Sequence, residues 1–313
     1  MDKVDRQMLR TVIRNPRITF RELADQLHLS IPAIQHRYAR LEETKQITGF
    51  HALVNLDLFG GVRMMVYGQM QGKMGHELLN EIAAQGSIPY MWCGGMNNLY
   101  LAAVLQDISH MDQVVNFAQE RCHISNPEVM IVGSGSVIAN CPPTTGSPRT
   151  SDISCLSELD YRIIQAMHYD ARRSVADIAK AVGVTTKTIG KHLDRMLELH
   201  LIDLVTRGRC WGMEVINFAL IVKLASVSSR DPVLKKMRED PDFHLLNSWV
   251  ISNKPNMLYF EVQTGTVGEM DGIVHSLRAL EDVESVQADI SLEEHIFETW
   301  RDRSLEAMTF RKK

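Results

Sequence analysis

Apolar residues recur at helical spacing in two stretches of the chain that share one pattern. The first stretch has its apolar positions at Val4, Met8, Leu9, Val12 and Ile13. The second stretch, 155 residues later, has them at Leu159, Ile163, Ile164 and Met167. This spacing places the apolar side chains on one face of a helix, so each stretch is predicted to open with a helix that packs against a core.

Polar residues predict where the following helices begin. Thr19 and Glu22 have the spacing of a capping box, and Ser30 can cap a third helix that tolerates Pro32 in its first turn. The equivalent residues of the second copy are Ser174, Asp177 and Thr185. Each copy is therefore predicted to form three helices, of which the last two make a helix-turn-helix.

The third helix of each copy has one apolar face and one face rich in hydrogen-bond donors. In the first copy the donor face presents Gln35, His36, Arg37 and Arg40. In the second copy it presents Thr186, Lys187, Lys191 and Arg195. Such side chains on a rod as wide as the major groove are typical of base recognition, and the alternative interpretation is a solvated helix face. Further phosphate contacts are expected from Arg14, Arg17, Arg172, Arg173 and Arg207.

After each third helix, alternating apolar and polar residues with glycines predict a short hairpin or wing. In the second copy its tip would carry Arg207 and Arg209. Each copy continues with segments in the order β-α-β-β-α-β, which predicts a ferredoxin-like domain with helices on one face of an antiparallel sheet.

The fold class is thus α+β, with two winged helix-turn-helix modules and two ferredoxin-like domains. The predicted limits are 1–58 and 157–212 for the modules, 59–140 and 213–295 for the sheet domains, 141–156 for a linker and 296–313 for a helical tail. Residues 140–152 are rich in Pro, Thr, Ser and Gly, so we expect the second module to move semi-independently of the first half. The tail is expected to be solvated.

Charge separates the modules from the segments between them. Residues 1–50 hold nine Lys and Arg against six Asp and Glu, and residues 155–209 hold nine against seven. The remaining two segments are acidic, with four against eight in 51–154 and twelve against seventeen in 210–313. Basic modules in a chain of net charge -4 fit a polyanionic partner, here double-stranded DNA.

Other features narrow the classes of protein. No apolar run is long enough to span a bilayer, and the five cysteines are scattered without a CxxC pair, so we expect a cytoplasmic protein with reduced thiols and no membrane partner. Cys122 and His123 have no second Cys or His at metal-ligand spacing. The expectation is therefore no metal, no cofactor and no catalytic residue.

These residues resemble the Lrp/AsnC family of prokaryotic transcription regulators, in a tandem two-copy form. The matching positions are Asp5, Arg17, Glu22, Ser30, Ile34, Arg37, Leu41 and Ile47 in copy one and Asp160, Arg172, Asp177, Gly183 and Ile189 in copy two. The resemblance implies a sequence-specific DNA-binding regulator with RAM-type domains that pair, either between two chains as a homodimer or inside one chain as a pseudo-dimer. Two unlike copies then imply an asymmetric DNA site.

The chain departs from the family at several positions. The glycine that follows the third helix in the family is Lys45 here and His200 in copy two, and His192 stands where the family favours arginine. The resemblance also implies a small-molecule effector at a Gly-x-x-Asp turn. That turn survives only as Gly95 to Asn98, so the candidate effector contacts are Gly95, Asn97 and Asn98.

An enzyme of the same layout is the alternative, since the chain also resembles the siroheme decarboxylases around Asn98-Leu99-Tyr100. In those enzymes a histidine and an arginine lie upstream. The corresponding positions here are Pro89 and Cys93, and Asn247 and Ile251 in copy two. Such side chains do not provide a proton donor beside a cation, which favours the regulator.

Overall fold

A computed structural model describes residues 2–133, 136, 153–206, 215–239 and 245–308. The chain forms two compact units, each assembled from both halves of the sequence. We call Met1–Gly61, Ala139–Gly212 and Glu298–Lys313 the helical unit, and Val62–Ile138 with Met213–Phe297 the sheet unit. No described helix is both long and apolar enough to cross a membrane.

The helical unit contains both predicted three-helix modules. The first consists of α1 (Lys3–Arg14), α2 (Phe20–Leu27), α3 (Ile31–Glu43) and strand β1 (Phe50–Val54). The second consists of α6 (Glu158–Met167), α7 (Val175–Val182), α8 (Thr186–Glu198) and strand β6 (Ile202–Thr206). The predicted caps are confirmed, because the side chains of Thr19, Ser30, Ser174 and Thr185 each accept a hydrogen bond from a backbone N–H in the first turn of their helix.

The residue that follows each third helix has a left-handed backbone, although it is not the glycine that the resemblance led us to expect there. Lys45 has φ 56° and His200 has φ 53°, both in the left-handed region. A side chain in that conformation costs roughly 1–2 kcal/mol, which glycine would avoid. The rest of each module holds the backbone there.

The strands after the third helices pair with each other across the two copies. β1 lies antiparallel to β6, from Phe50 opposite Thr206 to Val54 opposite Ile202. The wing hairpin expected in the first module is therefore wrong, because β1 pairs with β6 of the second module. In the second module the rest of the expected hairpin lies outside the described residues. The tip residues Arg207 and Arg209 lie outside the described residues.

A reciprocal pair of arginines joins the modules. The guanidinium of Arg17 donates to the carbonyl oxygens of Ala171 (2.6 Å) and Arg173 (3.2 Å). The guanidinium of Arg172 donates to the carbonyls of Pro16 and, at 3.0 Å, of Ile18. Since residue numbers in the two copies differ by 155, these contacts are mates across a pseudo-twofold axis. The two modules are one body, and the prediction of semi-independent movement is wrong for them.

The sheet unit contains the two βαββαβ repeats. The first has β2 (Val62–Gln69), α4 (His76–Gln85), β3 (Tyr90–Cys93), β4 (Asn98–Leu105), α5 (Met111–Glu120) and β5 (Glu128–Ile131). The second has β7 (Ile216–Leu224), α9 (Arg230–Glu239), β8 (Leu245–Val250), β9 (Met257–Thr264), α10 (Val267–Arg278) and β10 (Val283–Ile290). Their strand orders, β3-β4-β2-β5 and β8-β9-β7-β10, are ferredoxin-like, so the predicted fold class is confirmed.

The two sheets pack face to face through an aromatic layer. The first sheet contributes Met65, Tyr67, Trp92, Tyr100 and Met130, and the second contributes Ala219, Ile221, Trp249, Ile251 and Tyr259. The rings of Trp92 and Tyr100 are stacked with centroids 3.7 Å apart. The opposite face of each sheet packs against that repeat's own helices. The sheet domains therefore form a pseudo-dimer inside one chain.

The C-terminal segment differs from the predicted solvated helix. Strand β11 (Glu293–Ile296) extends the first sheet by pairing with β3, and helix α11 (Trp300–Met308) belongs to the helical unit. Arg301 donates to the carbonyl of Val54 at 2.5 Å and pairs with the buried carboxylate of Asp203 at 2.5 Å. These buried polar contacts hold α11 against the strands of both modules, while residues 309–313 lie outside the described part of the chain.

The arginine pair yields a stability prediction. Arg172→Met keeps an apolar stem but removes the hydrogen bonds to two carbonyls and the cation–π contacts to Tyr38 (5.2 Å) and Phe20 (5.6 Å). We expect the free energy of unfolding of the helical unit to fall by about 2–4 kcal/mol in urea denaturation. Arg21→Met, at an exposed position of α2, is the control and should change it by less than about 0.5 kcal/mol. Equal effects of the two variants would contradict the assignment.

Candidate nucleic-acid interface

The third helices α3 and α8 present short polar faces to solvent. On α3, Gln35 and His36 are exposed, while Ile34, Tyr38 and Leu41 are buried. On α8, Thr186, Lys187 and Lys191 are exposed, while Ile189, Leu193 and Met196 are buried. The apolar periodicity thus orients both helices as expected, with donors on the outward face.

A buried carboxylate on α1 anchors α3. Asp5 is fully buried, and its two oxygens pair with Arg37 (2.7 Å) and with Arg40. Arg37 also contacts Asp2 at 2.6 Å. The backbone N–H of Asp5 and the guanidinium of Arg37 lower the pKa of Asp2 to about 2. The recognition helix is therefore tied to the first helix of its own module by charge.

The second copy repeats this anchor with one substitution. Asp160 is fully buried and pairs with His192 (2.8 Å) and Arg195 (2.5 Å). Burial opposes ionisation of Asp160, but hydrogen bonds from Ser157 and His192 and the charge of Arg195 outweigh it and lower the pKa of the carboxyl. His192 thus fills the place of Arg37, which accounts for the departure from the family at this position.

These contacts change the roles of several predicted DNA-binding residues. Arg37, Arg40 and Arg195 are engaged with carboxylates, although Arg40 keeps 48% and Arg195 keeps 37% of the side chain exposed. Arg17 and Arg172 donate to carbonyl oxygens between the modules, so both side chains have a structural role there, and their expected phosphate contacts stay a prediction. Arg207 lies outside the described residues.

The exposed positions of the two recognition helices are unlike. Across the 155-residue offset, His36 corresponds to Lys191, Pro32 to Lys187, Gln35 to Gly190 and Ala39 to Asp194. The buried anchor, in contrast, keeps Asp5 with Arg40 and Asp160 with Arg195. The copies therefore preserve the scaffold and diverge at the surface that would face bases.

Helix α1 carries a row of basic residues, of which only Arg14 was expected from the sequence to contact phosphate. Arg6, Arg10 and Arg14 lie one turn apart on α1. Burial, with the neighbouring charges of Arg14 and Arg6, lowers the pKa of Arg10 to about 10. The i, i+4, i+8 spacing of like charges is the signal that could have found this row, which is a further candidate phosphate contact.

The predicted effector turn is already filled from within the chain. Asp289, on β10 of the second repeat, accepts hydrogen bonds from the backbone N–H of Gly95 (2.6 Å), from Asn98 (2.8 Å) and from Tyr100 (2.9 Å). The side-chain amide of Asn97 donates to the carbonyls of Met70 and Gly72. The donors that the sequence offered to an effector at Gly95, Asn97 and Asn98 are engaged by this chain's own oxygens.

Cys93, Cys122 and the positions named for the enzymatic alternative are buried or hydrogen-bonded, and Asn247 lies beside Glu261, whose pKa is raised to about 7 by burial. Burial, with the charge of Glu293, raises the pKa of Cys93 to about 11, and burial raises that of Cys122 to about 12. Asn247 donates to Glu261, and Ile251 is fully buried in the aromatic layer. Neither Cys93 nor Asn247 can transfer a proton near neutral pH.

The anchor of α8 predicts a pH dependence. Because the folded-state pKa of Asp160 lies below its ordinary value of 3.8, its ionised form stabilises the protein above about pH 4. That contribution is lost as the pH falls through the lowered pKa. Asp160→Asn should reduce the free energy of unfolding by about 1.5–3 kcal/mol at pH 7, and the difference from wild type should shrink below pH 4.

Asp194→Asn, at an exposed position of α8, is the matched control. It should lower stability little at either pH. A wild-type advantage over Asp160→Asn that is as large at pH 3 as at pH 7 would contradict the ion-pair anchor.

Comparison with known proteins agrees with this geometry. The AsnC-type helix-turn-helix domain matches residues 1–42 and again residues 156–197. The HTH-type transcriptional regulator Ptr1 of Methanocaldococcus jannaschii is 29% identical over 113 residues, which are 36% of this chain and 76% of that protein. The regulatory protein AsnC of Haemophilus influenzae is 23% identical over 145 residues, which are 45% of this chain and 94% of that protein.

A solved structure matches both units together. The siroheme decarboxylase NirDL has a TM-score of 0.56 at 13% identity, covering 97% of this chain and 98% of that chain. At this identity the likeness shows a shared fold and nothing about the reaction. The chain therefore carries two AsnC-type helix-turn-helix domains, and it is similar to AsnC-type transcriptional regulators in each half.

Proposed function

We propose that this chain is a transcriptional regulator that binds one asymmetric DNA site with its two unlike recognition helices. The observation that carries the proposal is the pair of capped, carboxylate-anchored helices α3 and α8, each exposing polar side chains and both held in a single body by β1 and β6. Rigid presentation of donors is what groove recognition requires.

Charge supports the same partner. The sequence segments of the two modules carry net charges of +3 and +2, and the segments that hold the sheet domains carry -4 and -5. A basic module attracts the phosphate backbone, and an acidic remainder repels it. DNA would then meet the modules and avoid the sheets.

Base contacts are assigned to the exposed, unanchored side chains. These are Gln35 and His36 on α3, and Thr186, Lys187 and Lys191 on α8. Arg37, Arg40 and Arg195 act as positioning residues that fix each helix to its module, and the exposed ends of Arg40 and Arg195 can still reach a phosphate. Affinity should therefore fall steeply with salt.

We place a proposed effector site away from the turn at Gly95, because the donors of that turn are engaged by oxygens of this chain. A cavity of about 500 Å³ between α4 and α5 is lined by charges of both signs, including Lys73, Glu77 and Arg121. Its mixed lining suits a small zwitterion, and we propose it as the effector cavity in place of the turn closed by Asp289.

The enzymatic alternative rests on the whole-chain likeness to NirDL. That likeness concerns the fold. The four positions named from the sequence hold Pro89, Cys93, Asn247 and Ile251, none of which is itself an acid that titrates near neutral pH. The regulator is therefore the function we propose.

Two lysine variants test the DNA-binding proposal. The probe is the duplex that the wild-type protein selects from a random-sequence library. Lys187→Ala and Lys191→Ala should each weaken binding by about 1–3 kcal/mol if the lysine reads a base, or reduce the salt slope by about 1 if it contacts a phosphate. Affinity measured by fluorescence anisotropy at several salt concentrations separates these outcomes.

Lys235→Ala, at an exposed position of α9 in the sheet unit, is the matched control and should leave affinity and salt slope unchanged. If both α8 variants bound the duplex with wild-type affinity, α8 would not be part of the DNA interface. If the wild-type protein did not bind duplex DNA at low salt, the proposed function would be wrong.

A further inference from the structure

Three potential metal ligands from distant parts of the sequence converge inside the helical unit. They are His51 on β1, His168 directly after α6, and Asp302 on α11. One ligand atom from each lies within 4.8 Å of the other two. His168 and Asp302 are buried, and His51 is half-buried.

The ring of His168 is oriented as a metal-binding imidazole. Its Nδ1 lies 3.1 Å from the carbonyl oxygen of Ala52, and because a carbonyl can only accept, Nδ1 carries the hydrogen. The other nitrogen, Nε2, is buried without a hydrogen-bond partner. Metal-bound histidines characteristically donate their second ring N–H to a carbonyl or carboxylate in this way.

Asp302 faces that nitrogen. Its Oδ2 accepts from the backbone N–H (2.7 Å) and the hydroxyl (3.0 Å) of Thr299, which fixes the carboxylate at the start of α11. Its Oδ1 lies 3.6 Å from Nε2 of His168. With Nδ1 donating to Ala52, Nε2 directs its lone pair at a carboxylate oxygen, an arrangement that a cation between the two atoms would stabilise.

We propose that His51, Nε2 of His168 and Oδ1 of Asp302 bind one divalent transition-metal ion, with Zn²⁺ as the best match. Two imidazoles and one carboxylate suit zinc, and the remaining coordination position would be left for water or an exogenous ligand. Ligand atoms 2.0–2.2 Å from tetrahedral zinc are about 3.3 Å apart. The separation of 3.6 Å between Nε2 of His168 and Oδ1 of Asp302 is already close to that value, and the His51 ligand atom lies within 4.8 Å of both.

The surroundings are rigid enough to support such a site. Arg301, next to Asp302, is held by the carbonyl of Val54 and the carboxylate of Asp203. Bound metal would thus link the strand of module one, the end of α6 in module two, and the C-terminal helix. Across the 155-residue offset, His51 corresponds to Thr206 and His168 corresponds to Ile13. The proposed ligands therefore occur on one side of the pseudo-twofold axis only.

Metal binding by the whole chain tests the proposed site, and the test does not depend on DNA binding. After treatment with a chelator, it should bind one equivalent of Zn²⁺ in calorimetry. Co²⁺ in its place should give visible absorption bands of a low-coordinate nitrogen–oxygen site. Zn²⁺ should also raise the melting temperature, because it binds the folded state.

His51→Asn and Asp302→Asn should each weaken Zn²⁺ binding at least about tenfold. His123→Asn is the matched control, since His123 is exposed and has a φ of 52° that asparagine tolerates. Circular dichroism and melting of the metal-free variants verify that each is folded. Should Asp302→Asn fail to fold, His51→Asn at the half-buried position supplies the same comparison.

Two results would overturn the proposal. One is the absence of stoichiometric Zn²⁺ uptake and of any Co²⁺ spectrum in the wild-type protein. The other is uptake whose affinity is unchanged in His51→Asn, which would place the metal elsewhere.

Discussion

The backbone ladder between β1 and β6 is the contact on which the rest of the structure depends. A strand that follows a helix-turn-helix exposes a row of N–H and C=O groups, and these groups need partners when they are buried. Here each copy supplies the partner of the other. The reciprocal contacts of Arg17 and Arg172 close the same junction from the helical side. The contacts between β1 and β6 and between the two arginines therefore set the relative orientation of the two modules.

The same internal pairing recurs in the sheet unit. The two sheets bury their aromatic faces against each other, and Asp289 of one repeat satisfies the turn of the other. Pairing that a single-copy protein could achieve only between chains is complete within this one. Because the two copies are separate sequences, their outward positions are free to diverge while the anchors Asp5 and Asp160 are kept.

Local chemistry predicted much of this structure from sequence. Caps such as Thr19 and Ser174, and apolar faces with a period of 3.6 or 2, depend on nearby residues, so the order of elements could be read directly. Long-range contacts could not be predicted in this way. Nothing near Arg17 or Arg172 indicates that their partners are carbonyls about 155 residues away, and an exposed arginine in a helix-turn-helix is the ordinary phosphate contact.

The same limit explains the tail and the histidine cluster. The pattern of residues 293–308 predicts a helix but not that Glu293–Ile296 joins a sheet edge made by residues 90–93. His51, His168 and Asp302 stand at no recognisable ligand spacing, because three separate elements bring them together. The buried polar residues of α11, Arg301 and Asp302, are the signal that a sequence reading could have weighed against a solvated terminus.

The most direct measurement of the central claim is a footprint of the full-length protein on its selected duplex, followed by binding to altered duplexes. Two unlike helices in one rigid body predict two half-sites of different sequence at one fixed spacing. Replacing either half-site to make a palindrome, or inserting half a helical turn between the half-sites, should then weaken binding strongly. Equal affinity for a palindrome, or tolerance of the insertion, would contradict the account of two unlike modules held as one body.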